Sequence, residues 1–327
     1  MKKNKITPLA NIPSQYMRYE YNTYLSVPKW YLIFIRNDYS EFIKTKPSHL
    51  FPYFKLISNF WKSYSISSQH AEKYKKFTLL SDIRIILLGI SVTTEFSLRF
   101  FYEKTVGLFT QYFYPEKIEQ DEIIEMTERD YNDFIKYHPW YEFDFFSRWL
   151  PFIKKSFKIP HNFAHFVRLI DRTFYFSSFI FVKSFLSFLI RFIHFIDHHQ
   201  PDTRTALELD YFPEKFSQDS FVDTVGEHQK RVVIAVPRYF SFQDYIKQLD
   251  KDNKLYSIAG NHRETLILCT LPDGMNYRLV KLSPIFIHNS IVNNSIRVIY
   301  SIRVSELIGF NIFCKQKNIN IEHIFDF

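Results

Sequence analysis

Two histidine pairs are the first residues in this 327-residue chain whose type and spacing suit chemistry. His161 and His165 stand four apart, as do His194 and His198, and Asp197 and His199 adjoin the second pair. On a helix that spacing projects two imidazoles to one side, where they can hold a metal ion. Neither pair has a Glu-x-x-His companion. Each sits at an end of an apolar stretch, where an interfacial or capping histidine serves equally well. The expectation is no metal and no cofactor, with His161, His165, His194 and His198 as the place to look for one. The segment "AGNHRE" (259–264) sets Asn261, His262, Arg263 and Glu264 at a strand end, a tip that can host a site but more often is a polar turn. Cys269 and Cys314 read as buried structural thiols of a reducing compartment. No Walker-type loop, dinucleotide fingerprint or Gly-x-Ser-x-Gly elbow occurs, and six glycines leave little material for a phosphate cradle.

Composition narrows the class without naming a reaction. Hydrophobic residues make up 46% and charged residues 23%, so the chain is globular rather than disordered. The 37 Phe and 22 Tyr, beside few glycines, suit an A/T-biased genome as well as a binding role. The net charge of +8 is segregated. Residues 1–78 and 145–195 are strongly basic, whereas 103–144 and 197–229 are acidic. Such blocks steer a segment to an anionic surface, or face one another within the fold. The basic, tyrosine-containing run at 62–77 raises nucleic acid as a partner, but the alternating acidic blocks and the lack of a recognition module make it unlikely. The N-terminus lacks the apolar core of a secretory signal, so secretion is not expected.

Those candidates must be positioned by elements, and the chain spells one phrase twice. "DYSEFIKTKP" (38–47) returns as "DYNDFIKYHP" (130–139), 92 residues later. Asp38 and Asp130 read as helix N-caps, and Pro47 and Pro139 as stops. An aromatic stretch follows each phrase, and an apolar one lies about 50 residues on, at 85–101 and 173–192. Residues 30–103 and 122–195 are thus expected to be two copies of a helical unit whose apolar helices pair.

Each apolar stretch has an uncharged run of only ten residues, short for a transmembrane span. Glu95 and Arg99 are spaced to pair on one face, and Lys183 is expected to snorkel. Two full spans would put Lys154, Lys155, Lys158, Arg168 and Arg172 on the outer side, against the charge rule. An in-plane arrangement on an anionic leaflet avoids this conflict.

From Lys230 the pattern alternates. "RVVIAVP" (231–237) is an apolar strand, 241–249 a helix, and 254–259, 264–271, 277–287 and 295–302 further strands. A helix over 305–316 and a strand over 319–327 close the chain. The order βαβ, hairpin, βαβ predicts a ferredoxin-like α+β sandwich with one sheet face open to the helical half, a second copy, another protein or a ligand.

The phrases "DYNDFIKYHPWYEFDF", "IEHIFDF" and "TTEFSLRFFYEKTVG" resemble a group of proteobacterial proteins with no assigned activity. The resemblance implies a bacterial source and carries no functional residue across.

The expected fold is therefore α+β. It has a duplicated helical region (1–196), an acidic linker (197–229) and a ferredoxin-like domain (230–327). The expected role is that of a non-enzymatic accessory or scaffold protein, peripheral or monotopic on the cytosolic face of the inner membrane, with anionic lipid as partner. Lys154, Lys155, Lys158, Arg168, Arg172, Lys183 and Arg191 would meet headgroups, while Phe174, Phe179, Phe185 and Phe188 insert. The alternative is a soluble enzyme or small-ligand binder with a pocket between the helical region and the sheet, centred on His262 or on His194 and His198.

Overall fold

The computed structural model describes residues 12–74, 79–156, 160–197, 203–228, 231–272, 274–275, 282, 284–292 and 295–327. The protein is α+β, with helices in the N-terminal part and two four-stranded antiparallel sheets in the C-terminal part. It divides into two compact units, one formed by 28–63 and 82–201 and the other by 1–27, 64–81 and 202–327.

The helical unit draws on α1 (Tyr21–Thr45), α2 (Tyr53–Ala71), α3 (Leu79–Tyr102), α4 (Leu108–Phe113), α5 (Glu119–Ile135), α6 (Phe145–Ser156) and α7 (Phe163–Asp197). A single π-turn, Glu103–Gly107, carries α3 into α4. The repeated phrase lies at the end of a helix in both places, not at its start. The apolar period of Tyr24, Leu25, Val27, Tyr31, Phe34 and Ile35 runs unbroken into Asp38, which is buried mid-helix. Pro47 and Pro139 follow the helix ends, each with the same extended backbone. Next come two 3-10 turns, Ser48–Leu50 and Trp140–Glu142, at the same 92-residue offset. Even the aromatic packing recurs. Phe51 lies edge-on to Tyr39 at 4.8 Å and to Tyr53 at 5.1 Å, and Phe143 lies 5.1 Å from Tyr131 and 4.8 Å from Phe145.

The second unit contains β1 (Arg204–Leu209), β2 (Asp223–His228), β3 (Arg231–Pro237), α8 (Phe240–Gln248), β4 (Leu255–Ile258), β5 (Glu264–Pro272), β6 (Pro284–Asn289), β7 (Ser295–Arg303), α9 (Leu307–Gln316) and β8 (Asn320–Ile324). The sheet orders are β2-β3-β1-β4 and β6-β7-β5-β8. The second is the first advanced by four strands, so the succession βββαβ occurs twice. This differs from the single sandwich expected. The cause lies in 197–229, read as a linker, which holds both β1 and β2. Its acidic residues hid the strands: Glu208 is buried mid-strand, and Arg231 neutralises it at 2.9 Å while Ser257 donates to it at 2.9 Å. One core joins both sheets to α8 and α9, through Leu207, Ile234, Phe242, Ile267, Tyr300, Leu307 and Cys314 among others. On the other side of the first sheet, Ala206 and Val233 are met by Ile12 and Tyr16 of the chain's own N-terminal segment.

Candidate functional site

The α3 and α7 helices carry both the strongest charges and the strongest apolar surface of the helical unit, on opposite sides. The inward sides form an ionic seam. Glu95, on α3, receives Arg36 Nη2 of α1 at 2.6 Å, Lys183 Nζ of α7 at 2.5 Å, and Arg99 of its own helix at 3.2 Å. Arg99 also reaches Glu128 of α5 at 2.5 Å. Aromatic faces cap the cations: Arg36 lies over Tyr131 at 4.9 Å, Arg99 over Phe179 at 4.4 Å, and Lys183 over Trp140 at 5.5 Å. This cluster holds three cations and two carboxylates, all buried.

About two turns along α3 lies a second cluster with the opposite excess. Arg172 bonds Glu103 at 3.1 Å and Asp171 at 3.0 Å. Arg168 bonds Asp121 and Asp171, both at 3.1 Å. Tyr102 and Thr110 donate to Asp171, each at 2.6 Å, and Ser48 donates to Glu103 at 2.6 Å. Two cations and three carboxylates meet here, so the clusters compensate one another along the seam. Gly107 permits the π-turn to close on this cluster, because a Cβ there would run into the Glu103 carboxylate.

The outward sides are apolar. On α7 the exposed side chains from 163 to 190 are Phe163, Phe166, Ile170, Phe174, Ser178, Phe181, Phe185, Phe188 and Leu189, with no charge among them. That stripe is about 40 Å long at 1.5 Å per residue. On α3, exposed residues from Ile83 to Phe101 are Ile83, Leu87, Ile90, Thr94, Leu98 and Phe101 among the described side chains, and past Lys104 the stripe continues on α4 through Phe109, Tyr112 and Phe113. Two 29-residue segments, Ile85–Phe113 and Phe163–Arg191, are long and apolar enough to cross a bilayer, and only 33% and 28% of their most apolar windows are buried.

Flanking helices differ. Helix α2 runs beside α3, with Phe54 4.4 Å from Phe100 and Trp61 donating to Thr93 at 3.0 Å. Its exposed charges are Lys55 and Lys62. Helix α6 runs beside α7, with Trp149 donating to Ser177 at 2.9 Å and Phe152 4.4 Å from Phe176. It exposes Arg148, Lys154 and Lys155 and contains no acidic residue. The exposed face of α5 instead carries Glu122, Arg129 and Asp133.

The sequence candidates are thus divided. Phe174, Phe185 and Phe188 are exposed on the stripe, and Lys154, Lys155 and Arg191 are exposed beside it, Arg191 donating to the Tyr141 carbonyl at 2.8 Å. Arg168, Arg172 and Lys183 are buried ion-pair members, and Phe179 is the ring beneath Arg99, so these four do not form the outer surface. Lys183 does not snorkel because Glu95 supplies a closer partner than water. Glu95 and Arg99 pair as their spacing suggested. Sequence reasoning missed Arg36, Glu103, Asp121, Glu128 and Asp171, whose partners lie 29 or more residues away except for Asp171 with its neighbours. The available signal was acidic residues at otherwise apolar helix positions. Lys158 and His198 lie outside the described residues, as does the His194 side chain. The His161 and His165 rings are 5.3 Å apart, and the His161 N–H points to His165 Nδ1 at 3.4 Å. Among the described residues no three His, Cys, Asp or Glu side chains are gathered as a metal set. His262 lines an open groove with Lys73, Tyr74, Arg263, Glu264 and Arg303, its Nδ1 3.1 Å from the Tyr256 carbonyl. Neither a family model, a curated protein nor a solved structure matches this chain.

Proposed function

We propose that the protein is a membrane-associated accessory or scaffold protein, held in the plane of an anionic leaflet by the apolar faces of α3 and α7. The observation that carries this reading is the uncharged exposed stripe on α7, backed on its inward side by ionised residues. Exposed apolar surface of that extent marks an interaction site rather than an ordinary soluble exterior. Charge favours lipid as the occupant, since Lys55 and Lys62 of α2 and Lys154 of α6 stand exposed beside the stripes, while Arg148 and Lys155 pair with Asp130 and Glu119 of α5 at 3.0 and 2.8 Å.

Geometry favours lying over spanning. Lys62 is one residue from Trp61, which bonds Thr93, and Arg148 adjoins Trp149, which bonds Ser177. Both charges therefore stand level with the middle of a stripe. A transbilayer orientation would carry them to mid-membrane depth, at a cost of about 2.5–3.5 kcal/mol each. In-plane, they stand at the headgroups. Cys269 and Cys314 are free thiols, which supports the cytosolic side.

Duplication is part of the same proposal. The recurrence of the 3-10 turn and the aromatic trio at one offset supports two copies of a helical unit. In each sheet, β3–α8–β4 and β7–α9–β8 leave a gap filled by β1 and β5, which supports a reduced ferredoxin-like unit occurring twice. Sedimentation with anionic vesicles at low and high salt tests the membrane reading. Co-sedimentation that weakens with salt is expected, and a protein that stays in the supernatant under both conditions would refute it.

A further inference from the structure

We propose that the open groove beside His262 binds a small phosphate monoester, an inference independent of the membrane reading. The groove, of about 490 Å³, is lined by Lys73, Tyr74, His262, Arg263, Glu264 and Arg303. All six belong to the second unit. They come from three places in the chain: the segment after α2, the turn into β5, and the end of β7. The turn holds its residues in place. Ile258 and Asn261 exchange backbone hydrogen bonds at 3.0 and 2.8 Å, so Ala259 and Gly260 form a two-residue loop with φ of 49° and 80°. A residue with a Cβ is uncommon in that left-handed region, and Ala259 is kept there by its neighbours. Its carbonyl accepts the Arg18 N–H at 3.0 Å and Asn261 Nδ2 at 3.3 Å. The His262 ring is fixed in turn: Nδ1 donates to the Tyr256 carbonyl at 3.1 Å, which leaves Nε2 for a ligand.

Charge decides the class of ligand. Lys73, His262, Arg263 and Arg303 are all exposed, so their donors can reach a molecule in the groove. Arg303 has no hydrogen bond or ion pair among the described residues, although it stands opposite Glu264 in the β5–β7 register. Lys73 meets only a ring nitrogen of His70, at 3.5 Å. Arg263 lies 3.7 Å from Glu20, beyond hydrogen-bond range. Glu264, the one carboxylate among the lining residues, receives the hydroxyls of Tyr24 at 3.3 Å and Ser301 at 3.0 Å. Even with Glu20 counted, cations outnumber carboxylates three to two. Cations gathered without matching counter-charge repel one another, and an anion that accepts from all of them relieves this. Donors from three chain segments suit the oxygens of a phosphoryl group, which point to several sides, better than the two coplanar oxygens of a carboxylate. The volume exceeds that of a bare ion and the Tyr74 ring supplies an aromatic wall, so the phosphate carries a small organic body. One cluster of cations, rather than a track of them, favours a single phosphate over a polynucleotide.

The test uses the full chain, titrated calorimetrically with glycerol 3-phosphate, with short-chain phosphatidic acid kept monomeric, and with a single-stranded oligothymidylate. The proteins are the native chain, Arg303→Gln, and Lys154→Gln as a control cation outside the groove. Arg303 has no partner among the described residues to lose, so Arg303→Gln should fold as the native chain does; urea midpoints of the sheet circular dichroism signal check this. Saturable one-to-one binding of glycerol 3-phosphate, weakened about tenfold or more by Arg303→Gln and unchanged by Lys154→Gln, supports the proposal. The same pattern with phosphatidic acid binding more tightly also supports it, and makes the monoester a lipid headgroup. No saturable binding of either phosphate, or equal weakening by both substitutions, overturns the site. Oligothymidylate binding more tightly than either monoester, with the same dependence on Arg303, overturns the monoester in favour of a nucleic acid.

Discussion

Replacing Glu95 with Gln tests whether the buried seam holds the helical unit together. Glu95 is the shared partner of Arg36, Arg99 and Lys183. In the variant, three buried cations keep only Glu128, which contacts Arg99 at 2.5 Å and Arg36 at 3.7 Å. Lys183 loses its carboxylate and keeps the Tyr131 and Trp140 rings and at most a neutral amide oxygen. Breaking a buried ion pair by removing one partner costs about 3–5 kcal/mol, since the other charge remains dehydrated. The unit comprises 28–63 and 82–201, a size at which each kcal/mol lowers Tm by about 2–4 °C. The expected fall is therefore about 6–20 °C. All four tryptophans, Trp30, Trp61, Trp140 and Trp149, lie in this unit, so their fluorescence reports on it and not on the sheets. Adding Lys183→Met to Glu95→Gln removes the stranded charge and should recover part of the loss, because coupled neighbours are non-additive. A single-variant shift below about 2 °C, or a double variant no better than the single, would refute this account of the seam.

Gly89→Ala should destabilise the same unit by about 1–3 kcal/mol, because the new Cβ would come within 2.6 Å of the Phe60 ring and 2.8 Å of Trp61; denaturant midpoints followed by fluorescence measure it. Lys154→Ala with Lys155→Ala should lower the vesicle partition coefficient by about thirtyfold at low salt, at about 1 kcal/mol per cation, and by less at high salt. In the second unit, burial and Arg297 bring the His288 pKa down to about 3, and burial, then Lys247, holds His323 well below the usual range. Both folded-state pKa values lie below the unfolded value near 6.5. The stabilisation is thus intact above that pH and is lost as pH falls below it, by up to about 1.4 kcal/mol per pH unit for each histidine. Urea midpoints of the sheet circular dichroism signal, taken from pH 7 to 5, check the slope.

How far the sequence led depends on the range of the interaction. Continuous apolar runs such as Arg231–Pro237 and Glu264–Pro272 and the helix Leu307–Gln316 were legible because their apolar residues are local signals. Asp38 and Asp130 misled because a capping residue and a carboxylate within a helix, buried at Asp38 and half-exposed at Asp130, look alike until the upstream apolar period is weighed. Strands β1 and β2 were hidden by Glu208 and Asp223, acidic residues whose neutralising partners Arg231 and Arg204 come from elsewhere in the sheet. At the candidate surface, helix spacing named the exposed Phe174, Phe185 and Phe188 but also Phe179, which lies buried beneath Arg99, and it passed over the exposed Phe163, Phe166 and Phe181. Arg168, Arg172 and Lys183 could not be separated from the surface cations Lys154 and Lys155, because the separation is made by Glu103, Asp121 and Glu95, contributed by other helices.

The central claim is that the α7 stripe lies flat at the lipid boundary. Environment-sensitive fluorophores placed singly at Phe166, Phe174, Phe181 and Phe188, with lipids quenching at graded depths, measure it directly. The in-plane account predicts one shared shallow depth, about 5–10 Å below the headgroups, at all four positions. A profile deepest at Phe174 and Phe181 and shallow at both ends would mean a spanning helix, and no quenching at any position would contradict membrane contact altogether.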